Sequence, residues 1–247
     1  MCGRYVTPDE RALEDYFHLG RHNWKGWVAR YNVGPTMPVP LVYMPHAEVV
    51  GDMARWGLIP SWWKKEAPPT LTFNARSEEA AAKPMWRHGI RSARCLMPAM
   101  GWYEWNGNET VVTGSGAKGH QPYYFHCPDQ AVLAIAGLWS RWQAPNGSEV
   151  LSCALLTREA SAAGIAAIHH RMPVVLDPSQ FEEWLSPRSS ARDVEALIAG
   201  SRADFVAHRV STRVNSVRNE SPELIKEVPA PSPSESLRSI SRKPSTS

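Results

Sequence analysis

Cysteine is scarce in this chain: four in 247 residues, at Cys2, Cys95, Cys127 and Cys153, with no C-x-x-C pair. Such spacing argues against the dense disulfide framework of a small secreted domain and against the paired ligands of a structural zinc site. Long apolar runs are missing too. Nothing approaches the roughly 20 consecutive apolar residues of a membrane-spanning helix. The opening Met1-Cys2-Gly3-Arg4-Tyr5-Val6 also lacks the apolar stretch of a secretion signal, so a cytoplasmic protein is expected. Nor is there a charge excess of one sign. The formal net charge is +3, and Lys226, Arg238, Arg242 and Lys243 against Glu227 and Glu235 place most of it in the last stretch of the chain. Global charge therefore gives no reason to invoke nucleic acid, and any nucleic-acid site has to be a local patch.

What the sequence does contain is an ordinary globular composition, 43% hydrophobic and 21% charged, at a length that buries a sizeable core. A helix is expected from about Pro8 to Leu19, with Thr7 as its cap, Glu10 completing a capping box, a Leu13-Tyr16-Phe17 stripe and a stop at Gly20. The middle reads as strands: Val39–Met44, Val49–Trp56, Arg94–Trp105, Tyr123–His126, Ala131–Trp139 and Val150–Leu156. Between them, Asn106–His120 reads as a polar, Gly-rich loop and Asn146-Gly147 as a tight turn. Later elements are a helix over Arg158–Ala167, a strand at Met172–Leu176, a helix opened by Asp177-Pro178, another near Asp193–Ala199, and a last strand at Asp204–Val210. Strands outnumber helices without alternating with them. This predicts an α+β single domain, residues 2–227, with a curved, barrel-like, mostly antiparallel β core flanked by helices. Residues 228–247, rich in Ser, Pro and Arg, are expected to form a disordered tail.

Cys95 and Cys153 lie in apolar strand-like runs and read as small core residues, as does Cys127. Cys2 differs because of its position. If Met1 is removed, residue 2 carries a free amine beside a thiol. That pair can condense with an aldehyde to an imine and then close a five-membered thiazolidine. Both groups titrate near neutrality, at about 8 and about 8.5, so modest local shifts change their reactivity.

Three further blocks bear chemistry. In Phe73-Asn74-Ala75-Arg76-Ser77-Glu78, Asn74 and Arg76 share a face if the segment is extended. In Gly101-Trp102-Tyr103-Glu104-Trp105, aromatic neighbours would desolvate Glu104, raise its pKa and make it a usable general acid. In Ile168-His169-His170-Arg171-Met172-Pro173, His169 is a natural proton carrier and Arg171 could hold a phosphate. The His pair has no acidic or cysteine partner at metal spacing. Taken singly, these blocks are equally a surface turn, a solvent-facing glutamate and a helix-to-strand loop.

Taken in order they resemble one family. Met1-Cys2-Gly3-Arg4-Tyr5, Arg30-Tyr31-Asn32-Val33-x-Pro35, Trp56-Gly57-Leu58-Ile59-Pro60-x-Trp62, Asn74-Ala75-Arg76-x-Glu78, Gly101-Trp102-Tyr103-Glu104-Trp105 and Ile168-His169-x-Arg171-Met172-Pro173 match the pattern of the SOS-response-associated peptidase (SRAP) family, and Val214-Asn215 looks similar too. The resemblance covers residues 2–227. It implies that Cys2 becomes an N-terminal nucleophile after autocatalytic loss of Met1, and that it forms a thiazolidine with the ring-opened aldehyde of an abasic site in single-stranded DNA. It implies further that Asn74 positions the amine, Glu104 serves as general acid and base in sugar ring opening, and His169 assists proton transfer and reversal of the crosslink. Arg4, Arg76 and Arg171 would contact phosphates, and Trp62 or Trp63 would stack against exposed bases. Autopeptidase and lyase activities belong to the same implication. One departure stands out: after the histidine the family commonly has an acidic residue, and this chain has His170, which lacks the negative charge that would raise a neighbouring imidazolium's pKa. No metal or organic cofactor is implied, and a monomer is expected. Two other readings use the same residues: an N-terminal-nucleophile peptidase acting on other proteins, and a non-covalent reader of single-stranded or modified DNA in which Cys2 is incidental.

Overall fold

The computed structural model describes residues 2–70, 72–114, 116–129 and 131–230. Met1 and most of the expected tail lie outside the described residues. In chain order the elements begin with β1 (Tyr5–Thr7), α1 (Glu10–Phe17), β2 (Arg30–Val33), β3 (Pro38–Tyr43) and β4 (Val50–Trp56). They continue through β5 (Asn74–Arg76), α2 (Ser77–Ala80), α3 (Pro84–Ser92), β6 (Arg94–Ala99), β7 (Gly101–Val112), β8 (Lys118–His126), β9 (Leu133–Gln143) and β10 (Glu149–Glu159). The last are α4 (Ala163–Ala166), β11 (Arg171–Pro173), β12 (Val175–Leu176), α5 (Phe181–Leu185), α6 (Ala191–Ala199) and β13 (Val206–Arg209).

Strands β10, β4, β3, β6 and β9 hydrogen-bond around a closed circuit, a five-stranded barrel to which β5, β11 and β12 are attached. A second, open sheet runs β13-β8-β7-β1-β2. The α+β, barrel-like, mostly antiparallel architecture expected from the sequence is thus found; the parallel exceptions are β10 with β4 and with β5.

Alternation explains the barrel. Along β6, Cys95, Met97 and Ala99 belong to one apolar cluster and Leu96 to another; along β9, Leu133 and Ile135 oppose Ala134 and Ala136; along β10, Cys153 and Leu155 oppose Ala154 and Leu156. Successive side chains point to opposite faces. Here both faces are buried, the interior around Tyr5, Trp56 and Trp102, the exterior under Leu13, Trp86, Ile90, Trp184 and Leu197 from the helical layer.

Several local expectations are corrected. Helix α1 is capped by Asp9, whose side chain accepts from Ala12 N, in place of Thr7, and it ends at left-handed His18 before Gly20 is reached. Thr7 is instead buried in β1. The single strand expected over Arg94–Trp105 is two strands of different sheets, broken at Met100. Gly101 permits the switch, because a Cβ there would run into the Phe125 carbonyl and the Tyr124 ring. The supposed loop Asn106–His120 is mostly a long hairpin, with Thr110↔His120 and Val112↔Lys118 paired beyond a bulge. The expected helix over Arg158–Ala167 shrinks to Ala163–Ala166, since β10 runs on to Glu159. Beyond these elements, Val228 N donates to the Arg209 carbonyl at 2.9 Å.

Arg94 shows how the helical layer is fastened. Almost fully buried, it donates to the Ile90 and Arg91 carbonyls at 2.8 and 2.7 Å, closing α3, and to the Trp184 carbonyl at 2.6 Å and that of Ser186, closing α5. One cation serves two helix C-termini, where the macrodipole favours positive charge. Arg94→Met should lower unfolding free energy by about 3 kcal/mol, because the carbonyls stay buried without a donor. Urea unfolding with an unchanged slope and a lower midpoint is the expected record; a midpoint within error of wild type would show the carbonyls find water.

Candidate active site

Two sheets converge on the N-terminus. Strand β1 pairs antiparallel with β7, Tyr5 opposite Trp102 and Val6 opposite Gly101, and Tyr103 N donates to the Arg4 carbonyl at 2.9 Å. Continuing that register lays Cys2 and Gly3 alongside Glu104. From the barrel, β5 pairs with β10, Asn74 opposite Leu155, and Asn74 Nδ2 donates to the Cys2 carbonyl at 2.7 Å. The turn into β11, itself paired with β10 at Arg171↔Glu159, brings His169 Nε2 to 3.6 Å from Glu104 Oε2. Cys2, Asn74, Glu104 and His169, scattered over 168 positions of sequence, therefore meet at one place.

Burial sets the protonation states. Cys2 is fully buried, and desolvation, with the Glu104 carboxylate adding to it, pushes its thiol well above the usual range. Glu104 is only 2% exposed, and burial raises its carboxyl to about 8. Desolvation likewise lowers His169 to about 4, with His170 among the positive neighbours that lower it further. The His170 ring lies tilted beside it, ring centroids 4.7 Å apart. Near neutral pH the site thus holds a protonated carboxyl against a neutral imidazole, an acid and a base already in contact.

The remaining expected residues are placed less uniformly. Arg76 is exposed at the end of β5 and loosely paired with Glu79 at 3.8 Å. Arg4 is half-buried, donating to Asn32 Oδ1 at 2.7 Å and to the Val214 carbonyl at 2.8 Å, and lies over the Trp105 ring. Arg171 is buried and paired with Glu78, 2.8 and 2.9 Å for its two bonds. Trp62 is half-exposed, whereas Trp63 packs with Ile59, Trp142 and Val150. Val150 and Leu155 are five residues apart on β10, about 17 Å of strand, so the tryptophans are not part of the Cys2 cluster.

Two structural residues were not assigned roles by sequence. Asn32, fully buried, accepts from Arg4 and donates to the Ser216 and Asn219 carbonyls at 2.9 and 2.8 Å, fastening the 212–219 segment beside Trp105. Its signal was an amide in a strand next to the apolar Val33. Glu78 is the other, sitting in the Asn74 block with a charge whose partner is 93 positions away. As for metals, among the described residues one group could hold an ion, Cys127, Asp129 and Asp204, and Arg202 already pairs with both carboxylates at 3.1 and 2.6 Å.

The sequence model of the family described as SOS response associated peptidase (SRAP) matches residues 1–217. The chain belongs to the SRAP family. Its relatives include the abasic site processing protein YoqW of Bacillus subtilis, 32% identical over 91% of this chain and 99% of that protein. YedK of Escherichia coli, named likewise, is 31% identical over 92% of this chain and 100% of its own length. HMCES of Gallus gallus, also named an abasic site processing protein, is 30% identical over 91% of this chain and 77% of its own. A crystal structure of a Bordetella bronchiseptica protein superposes with a TM-score of 0.69 at 26% identity, covering 85% of this SRAP chain and all of that one. No helix among the described residues is long and apolar enough to cross a membrane.

A raised carboxyl pKa makes a signed prediction. Folded, Glu104 keeps a proton that the unfolded chain releases above its ordinary 4.5, so its contribution to stability is lost as pH rises from about 4.5 to about 8. His169 acts at the other end, its depressed value costing stability as pH falls from 6.5 towards about 4. Glu104→Gln should therefore gain stability relative to wild type across the 4.5-to-8 window and hold a level advantage above it. Urea midpoints taken at a series of pH values check this; a difference that does not change with pH would remove the buried-acid assignment.

Proposed function

We propose that this chain captures abasic sites in single-stranded DNA covalently, through Cys2, in the DNA damage response. The observation that carries the reading is the meeting of Cys2, Asn74, Glu104 and His169, with Glu104 and His169 both in neutral form near pH 7. Loss of Met1, by hydrolysis of the Met1–Cys2 bond, makes residue 2 the terminus and frees its amine. Asn74, which holds the Cys2 carbonyl, keeps that terminus in place.

The abasic deoxyribose reaches the site mostly as a closed hemiacetal. Glu104 donates a proton to the ring oxygen while a base takes the proton of the anomeric hydroxyl, releasing the aldehyde; His169 is the base in reach. The Cys2 amine adds to the aldehyde, and water leaves to give the imine. Because burial keeps the thiol protonated, nitrogen attacks first. The sulfur then bonds to the imine carbon as its proton passes to nitrogen, closing the thiazolidine. Atoms balance with one water released, and the reverse sequence through His169 and Glu104 frees the DNA. The same imine gives a lyase step if a base takes a proton from the neighbouring sugar carbon and the phosphate on the next carbon leaves with the C–O bonding pair, breaking the strand. Arg76 and Arg4 contact flanking phosphates, and Trp62 stacks on a base farther along the strand. The protein acts as a monomer in the cytoplasm, nucleoid-associated when bound.

The test mixes protein, its intact mass first confirming loss of Met1, with a single-stranded oligonucleotide carrying one abasic site. On a denaturing gel, wild type should give a heat- and detergent-stable shifted band that Cys2→Ala and Cys2→Ser do not. Glu104→Gln should reach the same adduct about 100-fold more slowly. No adduct from correctly processed protein, with DNA binding intact, would make the chain a non-covalent reader; turnover of added peptides without DNA would make it a peptidase.

A further inference from the structure

We infer that residues 212–219 form a fixed rim of the DNA path, on which Arg213 and Arg218 hold phosphates and Val217 meets an unstacked base; the inference rests on the function proposed above. The segment opens with one 3-10 turn, Thr212–Asn215, anchored by the fully buried Val214. Its carbonyls are tied inward one after another. Arg4 Nη1 donates to the Val214 carbonyl at 2.8 Å, Asn32 Nδ2 to those of Ser216 and Asn219 at 2.9 and 2.8 Å, and Asn219 Nδ2 to that of Arg213 at 2.6 Å. With the backbone held from inside, Arg213, Val217 and Arg218 are exposed to solvent.

The segment runs beside the reacting groups. Trp105, the residue after Glu104, donates from Nε1 to Asn215 Oδ1 at 2.8 Å. Continuing the Tyr5↔Val33 register of β1 and β2 sets Arg4 beside Gly34, where an added Cβ would stand 3.2 Å from Val217 Cγ1 and 3.7 Å from Arg4 Nε. The rim therefore touches the neighbour of Glu104 on β7 and lies against the residue two positions from Cys2. Its charges are uncommitted: among the described residues the Arg213 and Arg218 guanidiniums make no hydrogen bond or ion pair. Glu220, the acidic residue next along the chain, is already paired with Arg30 at 3.1 Å. A net charge of +3 draws in no polyanion by itself, so binding of DNA needs local unpaired cations of this kind. Val217, set between them and 50% exposed, supplies the apolar surface that a base removed from its stack would cover.

Affinity for an undamaged single-stranded oligonucleotide, measured against salt, reads these contacts without the chemistry. A lost phosphate contact lowers the log–log slope by about 0.7. Arg213→Gln and Arg218→Gln should each show that drop, and Arg213→Lys and Arg218→Lys, which keep the charge, should restore the slope. Arg192→Gln, at an exposed cation on α6 in the helical layer, should leave it at the wild-type value. Val217→Ser should weaken binding about 5-fold at every salt concentration with the slope unchanged. An unchanged slope in either rim glutamine variant, an equal drop in Arg192→Gln, or wild-type affinity in Val217→Ser would overturn the inference. If wild type forms no Cys2-dependent adduct on the abasic oligonucleotide while the slopes fall as stated, the proposed covalent function fails and the rim stands. If the adduct forms and the slopes do not fall, the rim alone fails.

Discussion

Strand β10 holds this molecule together because it changes partners along its length. It pairs antiparallel with β9 from Glu149 to Leu155, parallel with β4 at Ser152 and Cys153, parallel with β5 from Leu155 to Thr157, and antiparallel with β11 from Thr157 to Glu159. A buried strand has to satisfy its backbone donors and acceptors at every position, and this one does so by recruiting short pieces from distant parts of the sequence. Its first half closes the barrel. Its second half has no barrel strand left to pair with, and the two pieces it recruits there deliver Asn74 and the His169 turn.

The second sheet completes the arrangement. Strand β1 lies on β7 in a register that fixes the N-terminus beside Glu104, and Asn32 and Arg4 fasten the 212–219 segment alongside. The site is therefore a seam between sheets, dry enough to keep a carboxylic acid protonated and an imidazole neutral. An acid and a base held in these forms at the same pH can pass a proton between them and a bound group, which is what the proposed ring opening requires. His170 takes part by withholding charge, since an uncharged or positive neighbour does nothing to raise the basicity of His169.

Much of this could be read from residue order, and the failures have physical causes. Glu104 was legible because Trp102, Tyr103 and Trp105 beside it announce a desolvated environment, and the extended segment carrying Asn74 and Arg76 is found as β5. The β7–β8 hairpin was not: Asn106, Gly107 and Asn108, with Gly114, Gly116 and Gly119, carry turn chemistry throughout, and cross-strand pairing overrode it. Helix α3 went unseen for a related reason. It starts at Pro84 and contains Gly89, whose missing side chain lets it sit against Leu138 of β9. The Glu78–Arg171 pair was not legible either, because its two charges stand 93 positions apart and meet only in space.

The account depends on Glu104 being a neutral acid in the folded protein near pH 7. Carbon-13 NMR of protein labelled at the glutamate carboxyls, with Glu104→Gln assigning the resonance, reads its protonation directly. A titration midpoint near 8, several units above the exposed glutamates, is the predicted result. A midpoint near the ordinary 4.5 would mean that Glu104 is ionised beside Cys2, and the proton-transfer scheme built on it would be contradicted.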